Sequence, residues 1–113
     1  MALRIGIADE NGTVNQEKSF IHWQDSIADA LRDESPAIKD LLALDCGGST
    51  CTVGPEIYIT VIAQFENERR RLEGREEVTR GRNQIPSAYD AVSACYDVLT
   101  QAKTLNKSII FTN

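Results

Sequence analysis

The apolar positions along the chain change period several times, and each change predicts an element. Residues 3–8, Leu-Arg-Ile-Gly-Ile-Ala, alternate apolar with polar or small. Period two is the signature of a strand with one buried face. Asp9-Glu10-Asn11-Gly12 follows, and Asn-Gly is a strong hairpin signal. A return strand is therefore expected over Thr13 to Lys18, polar enough to sit at a sheet edge. Phe20, Trp23, Ile27, Ala28 and Leu31 then recur at steps of three and four, with Asp25, Asp29, Arg32 and Asp33 between them. This spacing predicts an amphipathic helix over 21–33. Ser35-Pro36 offers an N-cap and a first-turn proline to a short second helix, which carries Ala37, Ile38, Leu41 and Leu42 and ends near Leu44.

Asp45 to Gly54 reads as a loop, with three glycines and several small polar residues. Pro55-Glu56 reopens helix. Ile57, Tyr58, Val61, Ile62, Phe65 and Leu72 then share one helical face. The stretch 56–65 is rich in β-branched residues, so strand competes there. The spacing and the charged continuation to Gly74 favour helix. Residues 73–86 are charged, without apolar periodicity, and read as a loop. Ser87 caps a last helix over 87–104, striped by Ala88, Val92, Cys95, Tyr96, Leu99 and Ala102. Asn106-Lys107 turns the chain into a final strand over 108–112. The order predicts one α+β domain: a small two- or three-stranded sheet formed by the chain ends, with about four helices packed on it.

Composition narrows the classes. The chain has 113 residues, 42% hydrophobic and 26% charged, enough for one domain with its own core. No apolar run approaches the roughly 20 residues that span a bilayer. The start, MALRIGIADENG, has early carboxylates and no long apolar core, unlike a signal peptide. The expected location is the cytoplasm, with no membrane contact. Net charge is −5, and it is concentrated. Residues 1–55 hold nine acids and four bases, whereas residues 56–113 hold eight of each. An acidic half repels phosphate, which argues against nucleic acid, and attracts basic proteins. Solubility alone is the simpler account of the same charge.

Candidate chemistry is sparse. Cys46, Cys51 and Cys95 are an odd number, and without an export signal reduced thiols are the expectation. Cys46 and Cys51 flank Gly-Gly-Ser-Thr, close enough in sequence to join in a small disulfide loop. Three Cys and one His in unrelated segments make a poor zinc set, so no metal or cofactor is expected. His22 with Cys46 or Cys51 is a conceivable nucleophile–base pair without a recognisable hydrolase signature. Gly47-Gly48-Ser49-Thr50 resembles an anion nest but lacks the lysine and spacing of a P-loop. The cluster Arg69, Arg70, Arg71, Arg75, Arg80 and Arg82 is interleaved with glutamates and lacks an aromatic platform, so paired charges on a solvated helix end are expected. Asp29 and Asp33 share a helix face as exposed carboxylates.

The order of motifs resembles a family of small bacterial immunity proteins from polymorphic-toxin systems. The matching stretches are LRIGIADENG at 3–12, LLALDCGG at 41–48, GPE at 54–56 and KSIIF at 107–111. The resemblance implies a non-enzymatic protein that binds and blocks a cognate toxin. It marks Asp45, Cys46, Gly47 and Gly48 as a loop of interest. With the charge map, it gives a first reading: an acidic surface built from Asp25, Asp29, Asp33, Glu34 and Asp45 that meets a basic toxin. Two alternatives stand beside it. One is a small thiol-dependent enzyme or redox protein using Cys46 and Cys51 with His22. The other is a structural subunit, homodimeric rather than monomeric, that buries a Tyr58/Ile62/Phe65 stripe.

Overall fold

The computed structural model describes residues 2–15, 17, 20–44, 50–73 and 88–112. The elements run β1 (Ala2–Ile7), β2 (Phe20–Gln24), α1 (Asp25–Glu34), α2 (Pro36–Leu42), β3 (Thr50–Val53), α3 (Pro55–Leu72), α4 (Ala88–Leu105) and β4 (Ile109–Thr112). The class is α+β, as the pattern predicts. The sheet is larger than expected, with four antiparallel strands in the order β2-β1-β4-β3.

The two additional details both come from short segments. The strand paired with β1 is Phe20–Gln24, from Ala2↔Gln24 to Gly6↔Phe20; of the return strand expected over Thr13 to Lys18, Val14 forms an isolated bridge with Ala8, and residues 16 and 18 lie outside the described residues. Phe20 and Trp23 fit the helical stripe expected over 21–33, yet burial along β2 alternates with Ile21 and Trp23 inward. Aromatic and β-branched residues at that spacing satisfy a strand equally well. The fourth strand is Thr-Cys-Thr-Val at 50–53, inside the segment expected to be a loop. Cys51 and Val53 point into the core, while Thr50 and Thr52 are exposed. The remaining ambiguity resolves as helix: Pro55 occupies the first turn of α3, and Tyr58, Val61 and Phe65 are buried along it.

The two faces of the sheet differ. Leu3, Ile5, Ile7, Ile21, Trp23, Cys51, Val53, Ile109 and Phe111 join one core cluster with residues of all four helices. Tyr58 and Phe65 are 0% exposed within the protomer, so the stripe proposed for a homodimer is already spent on this core. Tyr58 also donates its hydroxyl hydrogen to Lys107 O at 2.9 Å. The opposite face carries no helix among the described residues. Across it, His22, Arg4, Thr112 and Thr50 lie in register on successive strands. The next rung reads Phe20, Gly6, Ile110 and Thr52.

Residues 8–15 fold back over that second rung. Ala8 and Val14 form a bridge, and Asn15 N–H donates to Ile7 O at 2.8 Å. Val14 Cγ1 lies 2.5 Å from where a Cβ on Gly6 would sit, so only glycine permits this approach. The turn itself is closed by Asp9. Its carboxylate accepts from Asn11 N–H and Thr13 N–H, each at 2.9 Å, and from the Thr13 hydroxyl at 2.8 Å. Gly12 takes the positive φ of 78° that the turn needs.

Candidate partner-binding surface

Helix α1 begins with Asp25 in its first turn, where a carboxylate suits the positive end of the helix dipole. Ala28 and Leu31 are buried, which turns the other side outward. Asp25, Asp29, Asp33 and Glu34 are all exposed. The three aspartates recur every four residues, so they climb one face at about 6 Å per step. The single base on the helix, Arg32, reaches Asp29 at 3.3 Å, with the two side chains 44% and 71% exposed. An exposed pair of this kind is weak and screened by salt. Helix α1 therefore presents a ridge of negative charge to solvent. Asp45, Cys46, Gly47 and Gly48, the rest of the expected surface, lie outside the described residues.

The thiol chemistry is constrained by position. Cys51 is disulfide-bonded rather than reduced, and it is 3% exposed on the core side of β3. Its Sγ lies 3.8 Å from Leu44 O. Cys95 is free and fully buried in α4, and burial pushes its thiol up, away from the reactive thiolate. His22 is exposed on the helix-free face of β2. Cys51 faces the other way on β3, at the opposite edge of the sheet. Three strand spacings, roughly 14 Å, and the sheet itself separate them. A His22–Cys51 pair is thereby excluded. No group of three or more His, Cys, Asp or Glu side chains among the described residues is placed to hold a metal ion.

The arginine cluster behaves as paired charges where it is described. Arg70 meets Glu66 at 2.8 Å and Arg71 meets Glu68 at 3.0 Å, both along α3. Arg69 is different. It stacks on the Tyr96 ring at 5.5 Å from the centroid, and a hydrogen bond with Tyr89 favours its charged form, with Asp97 adding attraction. It pins α3 to α4. Arg75, Arg80 and Arg82 lie outside the described residues.

Two polar constellations escaped the linear reading. The Asp9 turn is one: hydrogen bonds from Thr13, then Asn11 and Gly12, hold its carboxyl below the ordinary range. The signal was present, because Asp followed by Asn-Gly and Thr is a residue set that closes on its own backbone. The other is Glu68, whose carboxylate accepts from the Ser35 hydroxyl at 3.0 and 3.1 Å and from Ala37 N–H at 2.8 Å. A residue of α3 thus caps α2, a relation with no local signature. Comparison of the chain with protein-family models, with curated proteins and with solved structures finds no match. No described helix is long and apolar enough to cross a membrane.

Proposed function

We propose that the chain is a non-enzymatic binding domain that docks a basic protein partner on the acidic ridge of α1. The exposure of Asp25, Asp29, Asp33 and Glu34 on one short helix carries this reading. The ridge offers a concentrated field that speeds encounter with a positive surface and fixes its orientation. The resemblance to toxin-immunity proteins supports the same role and suggests a cognate toxin as the partner, neutralised in the cytoplasm by direct binding.

The test is a binding measurement on purified proteins. The product of the adjacent gene is titrated into the wild-type chain and into a variant carrying Asp25→Lys, Asp29→Lys and Asp33→Lys. All three positions are exposed, so the variant keeps its core. Binding is expected to weaken as salt rises, and the variant is expected to associate at least about tenfold more slowly. Equal association rates for variant and wild type would remove α1 as the docking surface.

A further inference from the structure

The helix-free face of the sheet holds a groove of about 340 Å³ lined by Arg4, Thr13, Val14, Thr50, Ile110 and Thr112, with Gly12 at its rim. Strands β1, β3 and β4 supply its floor, and the folded-back turn after β1 supplies one wall. We infer that this groove binds a small organic monocarboxylate, with Arg4 as its anchor.

Arg4 lies at the middle of the polar rung, between His22 and Thr112. It is exposed, and it forms no ion pair among the described residues. Among the described residues, no carboxylate lines the groove. On a chain of net charge −5, an unspent guanidinium beside a ready cavity is a specific attraction for an anion. The planar fork of a guanidinium matches a carboxylate through two parallel N–H···O bonds. Thr50 and Thr112 add hydroxyls on the same rung. The Thr13 hydroxyl is already committed as a donor to Asp9.

The apolar part of the ligand is set by the other lining residues. Ile110 is buried at 1% exposure, yet it is absent from the helix-side core because it faces this side. Val14, half-buried, is the hydrocarbon wall that a ligand meets, with the buried Ile110 beneath it. The volume is at the low end for ligand pockets, which limits the occupant to a small molecule. A phosphate is disfavoured: a dianion would face the overall negative field, and among the described residues the groove offers it one guanidinium and neither a lysine nor a helix N-terminus, a thin cradle.

Benzoate is the probe, with benzyl alcohol and inorganic phosphate as comparisons, followed by two-dimensional amide NMR. Saturable shifts at Arg4, Val14, Thr50, Ile110 and Thr112 in the millimolar range are expected for benzoate. Arg4→Gln is expected to raise the dissociation constant at least about tenfold, because a charge-assisted bidentate contact is lost. Arg4→Lys is expected to fall between, since it keeps the charge and loses the fork. Unchanged dispersion of the remaining spectrum shows that each variant folds. The assignment is overturned by shifts that never saturate or that lie elsewhere. Benzoate binding equal in wild type and Arg4→Gln, phosphate binding as tight as benzoate, or benzyl alcohol binding as tight as benzoate would each overturn it too.

Discussion

Glu68 stabilises a helix to which it does not belong. Its side chain is 12% exposed, and it satisfies Ser35, Ala37 N–H and Arg71 together. Truncation to alanine leaves the first turn of α2 with an orphaned N–H, because the Ser35 oxygen is already engaged as acceptor of Ile38 N–H. Glu68→Ala is expected to lower stability by about 2 kcal/mol in urea denaturation, with Glu68→Gln retaining roughly half of the loss-prone contacts. Cys95 gives a pH signature of a different kind. Burial raises its thiol in the folded chain, so between pH ~8.5 and the folded value only the unfolded chain ionises. Its contribution is present below pH ~8.5 and declines as pH rises further. Tyr58, raised by burial and by Glu56, adds to the decline from pH ~10. Cys95→Ala is expected to flatten the fall in stability between pH ~8 and ~9.5, measured by denaturant unfolding at each pH.

At the scale of the element, the turn after β1 and its seat on Gly6 form one unit. Gly6→Ala places a methyl where Val14 Cγ1 now sits. The expected cost is about 1–3 kcal/mol with displaced Val14 methyl resonances, and Val14→Ala in the same chain should recover part of it. The legibility of the elements follows from their length. Helices α3 and α4 run for 18 residues each, long enough for a 3.6-residue period to declare itself. Strands β2 and β3 have five and four residues. In Phe-Ile-His-Trp-Gln, Phe20 and Trp23 are three apart, which fits a helix, while Ile21 and Trp23 are two apart, which fits a strand. Only pairing with β1 decides between them. In β3 the neighbouring glycines hid an alternation of two threonines with Cys51 and Val53. The acidic ridge was readable because helical spacing alone puts Asp25, Asp29 and Asp33 together. The Arg4 groove was not, since its residues come from three strands and a turn whose order no local pattern specifies.

At the scale of the molecule, the sheet separates two surfaces of opposite character. Helices cover one face, and α1 presents its carboxylates beyond them; the other face carries no helix among the described residues and exposes the Arg4 guanidinium beside the folded-back turn. The strand that unites the sheet is β4, hydrogen-bonded to β1 on one side and to β3 on the other. Removing residues 109–113 deletes Ile109, Ile110 and Phe111, each at most 1% exposed. Such a chain is expected to lose its cooperative thermal transition and its dispersed proton spectrum, since three large core side chains at about 2 kcal/mol or more apiece rival the whole stability of a domain. The central position of β4 also sets a timetable for biosynthesis. Strand β1 is made roughly a hundred residues ahead of its second neighbour, β4, at a pace of about 5–20 residues per second. For several seconds the nascent chain carries the unpaired edges of β1 and β3 with nothing between them. The domain closes only after residues 109–112 clear the exit tunnel, so until then a chaperone that shields strand edges has its best opportunity to act on this chain.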